Sequence, residues 1–395
     1  MKKKIIDKKL IPLTAMITAA GLFVSCAAIA SGNDPEEETT SSVNGETAEL
    51  VSERDTDPSY DEDEAVTIEL QGDTASCDSS SVTAEAGKVT ISEGGTYIIS
   101  GSLTDGQIIV DAEDDTVQLV LSGCGIECST SAAVYVKAAD KVFLTLDEGS
   151  SNELSNSGTF EADGDNNVDG VIFSKDDLTI NGDGGLTISS SDHAVVCKDD
   201  LVIAGGQIDI TASGDGIQSK ETLTIEDGII DIEATEAIES TQVTIDGGTL
   251  TLTASDDGIN ASQKSDELSP AIVINGGDIT IIMGQGDTDA IDSNGSLTIT
   301  GGTLDITAQF PFDYDSTCEY TGGTIYVNGE QTDTITNQFE DGMGFGGMGM
   351  PSDPGDMTFP SDMGDFEPPM GGGMEPPSDG SFPEPTQGGP GPMNN

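Results

Sequence analysis

Tryptophan is absent from the 395-residue chain, histidine occurs once, at His193, and arginine once, at Arg54. Without an indole the chain lacks the large flat ring on which ligands stack, so recognition at its surface is expected to lean on hydrogen bonds and bridging ions. A single histidine excludes zinc sites built from several imidazoles, and the cysteines form neither a Cys-x-x-Cys pair nor a Cys/His cluster at zinc spacing. Positive charge is scarce as well: 13 Lys plus Arg stand against 73 Asp plus Glu, a formal net charge of -60. Nucleic acid is bound by neutralising phosphates with Lys and Arg, so it is not a partner of such a chain. Cations are. No stretch carries an amphipathic helical stripe.

Lys2, Lys3, Lys4, Lys8 and Lys9 precede an apolar run from Leu10 to Val24, the layout of an export signal over residues 1–25. The run is too short to span a bilayer comfortably. Leu-Phe-Val-Ser-Cys, ending at Cys26, resembles a bacterial lipobox, with Phe23 where Leu is usual. Acylation of Cys26 would anchor the protein to the outer face of the cell membrane, and ordinary secretory cleavage near Ala30 is the other reading. Residues 26–64 are acidic and nearly without apolar side chains, and 340–395 are rich in Gly, Pro and Met. Neither buries enough surface to offset chain entropy, so both are expected to be disordered, the first as a stalk and the second as a tail. The cysteines beyond Cys26 are Cys77, Cys124, Cys128, Cys197 and Cys318. They read as small buried side chains, with Cys124 and Cys128 close enough for a local disulfide.

Residues 65–339 hold a repeating phrase, clearest as Leu201-Val-Ile-Ala-Gly-Gly-Gln-Ile-Asp-Ile-Thr-Ala-Ser-Gly-Asp-Gly-Ile. The second turn glycine recurs at Gly185, Gly206, Gly228, Gly248, Gly277, Gly302 and Gly323, at separations of 21, 22, 20, 29, 25 and 21. The longest interval contains an insertion from Gln263 to Pro270. Apolar and polar residues alternate inside each unit, which is strand periodicity. A unit this short cannot bury its own apolar face, whereas stacked units place each inward Ile over its counterpart. The pattern predicts an all-β fold, a right-handed parallel β-helix with three short strands per coil of about 20–25 residues.

Gly95-Thr-Tyr-Ile-Ile-Ser-Gly, Asp105-Gly-Gln-Ile-Ile-Val, Val117-Gln-Leu-Val-Leu-Ser-Gly, Ala133-Val-Tyr-Val-Lys and the Asp-Gly-Ile phrases, in that order, resemble a bacterial family of secreted carbohydrate-binding-domain proteins. The resemblance runs from about Ala65 to Phe339. It implies a right-handed β-helix akin to polysaccharide lyases, bound calcium, and plant cell-wall ligands that include cellulosic and polygalacturonate chains.

Several residue sets carry candidate chemistry. Asp163, Asp165, Asn167, Asp169 and Asp176 space oxygen ligands as in a calcium loop, with Gly170 at the bend, or they form a solvated acidic turn. Asp287, Asp289 and Asp292 make a second, less regular acidic set. Two residues before the third-strand Ile, Asp215, Glu236, Asp257 and Asp289 follow one another, with His193 in the corresponding place one repeat earlier. Carboxylates stacked about 4.8 Å apart repel unless cations, protonation or turn amides compensate them. Calcium bridging to a uronate is the functional reading of that column, and bonding to nearby backbone N–H groups is the plain one. Lys175, Lys198 and Lys220 form a cationic column that either receives ligand oxygens or compensates Asp176, Asp199 and Glu221. Tyr314, within Phe310-Pro-Phe-Asp-Tyr, offers a small platform or covers the core end.

The function expected is non-catalytic, calcium-assisted binding of an acidic or plant cell-wall polysaccharide at the cell surface. No Arg or His motif accompanies Asp256-Asp257 as an acid pair would require in a hydrolase. A lyase-like enzyme acting through Lys198 or Lys220 beside calcium, and a spacer or adhesin without glycan specificity, are the alternatives.

Overall fold

The computed structural model describes residues 51–337 except 287. Cys26, the export segment, the tail 340–395 and Asp287 lie outside the described residues. The chain divides into Met1–Ser52 and Glu53–Asn395, and every described strand belongs to the second unit.

Among the described residues every regular element is a strand. The inward rows of the repeats are in register. On one sheet Ile172, Val195, Ile217, Ile238, Ile259 and Ile291 pair in succession through parallel strands. On the other, Ile208, Ile230, Leu250, Ile279, Leu304 and Ile325 do the same. All of these are at most 3% exposed. Each such side chain contributes about 1.5–3 kcal/mol by leaving water, so the rows are the main source of cohesion. The Asp-Gly-Ile phrase has a packing origin. A Cβ on Gly216 would stand 2.4 Å from Ile232 Cγ2, and one on Gly258 2.6 Å from Ile281 Cγ2, so only glycine lets the chain pass there.

The all-β expectation holds, but the right-handed parallel β-helix of three short strands per coil is corrected. Hydrogen bonding gathers the strands into two sheets, of 19 and 11 strands. Within the larger, Thr116–Glu127, Lys141–Leu146, Asp177–Gly182, Leu201–Ala212, Gly185–Ser190 and Ser151–Asn156 pair in turn and close on themselves, a barrel-like parallel circuit of six strands. The smaller sheet is mixed, because Val82–Glu85 pairs antiparallel with Lys88–Ile91. The physical reason lies in the glycine turns. In Leu201–Ala212 and Thr222–Ala234 the chain bends at Gly206 and Gly228, both at positive φ, without leaving the sheet. The irregularity is absorbed as register shifts on either side of Ala204. Two alternating runs that read as separate strands thereby become one and tie neighbouring ladders together.

Residues 53–64, read from composition as part of the solvated linker, run against the larger sheet. Asp55 is 1% exposed and its carboxylate lies 2.6 Å from Lys141 Nζ. Thr179 Oγ1 donates to the same carboxylate, and Asn181 Nδ2 donates to the Asp55 carbonyl at 2.9 Å. Arg54 stacks over Phe143, 4.6 Å from the ring centroid, and donates to Gln118 Oε1. Cys77, Cys124, Cys128, Cys197 and Cys318 are free, so Cys124 and Cys128, both buried, are not joined.

Candidate functional site

The outward row of the smaller sheet is the place where charge concentrates. Strand register sets Thr90, Ile109, Tyr135, Phe173, Val196, Gln218, Glu239, Asn260, Asp292 and Asp313 side by side along it. Its character changes midway, from aromatic and apolar to acidic.

In the first half, Tyr135 and Phe173 meet edge to face at 5.7 Å and form a small buried cluster with Ala132, Val168 and Val196. The segment carrying the calcium-loop pattern contributes Val168 to that cluster. Its Asp163 carboxylate accepts the Tyr135 hydroxyl at 3.2 Å, and Asn167 donates to Asp169. Asp165 is exposed. Asp176 does not join them. The extended strand Gly170–Ser174 runs between Asp169 and Asp176, alone about 13 Å long at roughly 3.3 Å per residue, and the Asp176 carboxylate accepts the Ala139 amide. The spacing of a folded loop is stretched into a strand.

The second half brings together residues from successive repeats. Asp215, Glu236 and Glu239 each offer an oxygen within 4.8 Å of the others. Gln218 Nε2 donates to Asp215 Oδ2 at 2.6 Å and to Glu239 Oε2 at 3.0 Å. Lys264 reaches Glu239 at 2.5 Å, and Asn260 Nδ2 donates to Glu236 Oε2 at 3.0 Å. Asn260 is 8% exposed, and its Oδ1 is buried with no hydrogen-bond partner among the described residues. Burial pushes the Glu236 carboxyl up to about 8, with the charges of Glu239 and Asp215 adding to it. Asp292 is pushed up to about 7 and Asp257 to about 6, again chiefly by burial. Asp257 also accepts the Asp289 amide, the turn bonding foreseen for these acids. His193 Nδ1 lies 3.2 Å from Asp215 Oδ2, and this contact raises the imidazole's pKa against the effect of burial.

Lys175, Lys198 and Lys220 do stack, each of the last two donating its amide one ladder position back, to Ser174 O and Cys197 O. Lys198 lies 5.2 Å from the Phe173 ring centroid and 3.9 Å from Asp169 Oδ1, while Lys220 pairs with Glu221, as charge compensation requires. Tyr314 is half-buried and packs against the core. Sequence reasoning missed Gln218, Glu239, Asn260 and Lys264. The first three were detectable as the residue following the third-strand Ile in consecutive repeats; Lys264 sits in the insertion and carries no periodic signal.

Comparison with known proteins follows the same boundaries. The model of the family described as carbohydrate-binding domain-containing protein matches residues 85–281 and 236–339. A carbohydrate-binding domain-containing protein of Acetivibrio thermocellus is 37% identical over 127 residues, 31% of this chain and 44% of that relative, so the match spans less than half of the relative's length. The solved gadolinium derivative of the polysaccharide lyase-like protein from C. thermocellum is similar at a TM-score of 0.52 and 29% identity, over 67% of this chain and 96% of that one. With the greater part of its sequence matched, and the matched part coinciding with the stacked repeats, this chain belongs to the carbohydrate-binding domain-containing protein family.

Proposed function

We propose that the protein binds an acidic polysaccharide such as polygalacturonate without cleaving it, along the acidic half of the smaller sheet, with calcium as the bridge. Family membership supports glycan binding in general. The observation that carries the finer reading is the unpartnered, buried Oδ1 of Asn260 beside the convergent carboxylates of Asp215, Glu236 and Glu239. Three carboxylates gathered this closely, next to an amide that bonds Glu236 through Nδ2 and keeps an orphaned buried carbonyl oxygen, are costly as they stand. Together they are the donor set that a hard cation requires: carboxylates plus a neutral amide oxygen. Asp215, Glu236, Glu239 and Asn260 would hold the ion, whose remaining positions accept carboxylate or hydroxyl oxygens of the sugar. Gln218 and Lys264 orient the carboxylates. Export and acylation at Cys26 would display this face outside the cell, the Lys-rich start and apolar run being their support.

Gel retardation by polygalacturonate, run with calcium and with chelator, tests the reading. Retardation that requires calcium and disappears in Glu236→Gln supports it, whereas equal mobility in every gel refutes it. A lyase reading is favoured by the name of the structural neighbour, with Lys198 as the available base. Unsaturated products absorbing in the ultraviolet would establish that activity and displace the non-catalytic one.

A further inference from the structure

The outer face of the larger sheet carries a polar cradle that takes no part in the acidic cluster. Strand register sets Gln118, Phe143 and Thr179 in one outward row and Val120, Thr145 and Asn181 in the next. Polar side chains on such a face ordinarily meet water, yet Gln118, Thr145, Thr179 and Asn181 are all at most 4% exposed. They are joined to one another, Gln118 Nε2 donating to Thr145 Oγ1 at 3.0 Å and Thr145 Oγ1 to Asn181 Oδ1 at 2.8 Å. The neighbouring donors, the Thr179 hydroxyl, Asn181 Nδ2 and Lys141 Nζ, converge on Asp55. Phe143 lies beside them, its ring centroid 4.6 Å from the Arg54 guanidinium and 5.5 Å from Lys141 Nζ. An ammonium, a hydroxyl, an amide and an aromatic face arranged in this way recognise an Arg-Asp turn.

We infer that this cradle is a docking site for the Arg54-Asp55 turn of a second copy of the chain, the strap of residues 53–60 being exchangeable between copies. The interaction needs neither glycan nor calcium. Two features let the strap leave. It pairs with no strand, the first ladder residue being Val66, so its departure breaks no ladder. The hinge that joins it to Val66 is Asp61-Glu62-Asp63-Glu64, four exposed carboxylates in succession. The Glu64 and Ala65 amides close a turn on the Asp61 carbonyl, at 3.2 and 3.1 Å. Like charges crowded around such a turn favour an extended connection. The occupant is fixed by what already sits there: exchange replaces each contact of the strap by an identical one, which makes swapping between copies a low-cost route to assembly. Tethering opposes it, because a short linker holds the chain's own strap at a millimolar effective concentration. Exchange therefore prevails where copies are crowded or the hinge is strained.

Two measurements on the full chain test this. The first is fluorescence anisotropy with a labelled peptide of residues 51–62. The peptide binds Asp55→Ala, whose own strap no longer fills the cradle, at least tenfold more tightly than it binds the wild type, where the tethered strap competes. Binding weakens by about tenfold or more when the peptide itself carries Asp55→Ala, or when the chain is Asp55→Ala/Lys141→Met, because the charge-assisted bond is gone. Should Asp55→Ala not fold, Arg54→Ala/Tyr60→Phe loosens the strap with Lys141 still paired, and it too binds the peptide more tightly than the wild type does. The second is sedimentation velocity of the chain lacking Glu62 and Asp63, whose shortened hinge strains closure within one copy. Species larger than those of the wild type form at the same concentration and are lost on adding Lys141→Met. The inference is overturned if the peptide binds neither loosened variant, if it binds the wild type as tightly, or if its affinity ignores Asp55 and Lys141. Peptide binding with an unchanged sedimentation profile overturns the second copy as the occupant and assigns the cradle to another acidic chain.

Discussion

The two halves of the molecule use the same ladders and cover them differently. Toward the N-terminus the chain lies over its own outer faces: Asp55 and Arg54 against the larger sheet, and the segment that supplies Val168 and Asp163 beside Tyr135 and Phe173 of the smaller one. There the buried carboxylate of Asp55 has Lys141 at 2.6 Å. Toward the C-terminus carboxylates accumulate in two neighbouring columns, Glu236 with Asp257 and Glu239 with Asp292 and Asp313, and among the described residues the cation paired with them is Lys264, on Glu239. Identical backbone support thus produces a self-satisfied surface in one half and a charge-excess surface in the other. The difference teaches that the stack sets position, while the identity of the outward residue decides whether a face is closed by protein or left for a ligand.

The largest way to break this comparison is to unpair the closed half. Asp55→Ala takes the carboxylate from the half-buried Lys141 ammonium and from the buried Thr179 hydroxyl, while Asn181 keeps the backbone carbonyl, and removal of one member of a buried ion pair costs about 3–5 kcal/mol. Urea melts should show that loss. The double variant Asp55→Ala/Lys141→Met should recover part of it, since the remaining buried charge is then gone. A loss below about 1 kcal/mol, the scale of a surface pair, would mean that the first residues are not held as described.

Calcium sharpens the other half. An ion bound only by the folded state stabilises by about 2.7 kcal/mol at a concentration 100 times its Kd, roughly 5–10 °C in melting temperature for a domain of this size. The expected result is that rise in the wild type and its absence in Glu236→Gln, with Asp55→Ala showing the same calcium increment as the wild type. An increment that survives Glu236→Gln would place the ion elsewhere.

How much of the fold and site is legible in the residues depends on whether the cause is periodic. The inward rows are legible, because Ile217, Ile238 and Ile259 recur at the spacing of the turn glycines and pair as that spacing requires. The joining of ladders is not, since alternation stops at Gly205-Gly206 in the sequence while the hydrogen bonding continues around the bend. The calcium-loop reading fails for Asp176 because the extended run Val171-Ile-Phe inside the motif outweighs its ligand spacing. Asp55 leaves no local trace at all: its partners Thr179 and Asn181 stand 124 and 126 residues away, and composition alone describes its neighbourhood as solvated.

The smallest expected effect lies between the two halves, at Asp199. Burial pushes its carboxyl up to about 6, with the charges of Asp177, Glu221 and Asp200 adding to the shift. Because the folded pKa is raised, the unfolded chain releases its proton first as pH climbs from about 4. Folding stability therefore falls between about pH 4 and pH 6 and stays lower above. Asn at this position carries no such penalty. Asp199→Asn should melt higher than the wild type at pH 7–8 in EDTA, by roughly 1 °C because the group is still reached by solvent. The difference should vanish below about pH 4, where the carboxyl is protonated in the folded and the unfolded chain alike. A gain that does not depend on pH would assign the effect to packing, and a loss at pH 8 would show that the ionised carboxylate is favourably partnered by the protein itself, placing the junction with the self-satisfied half.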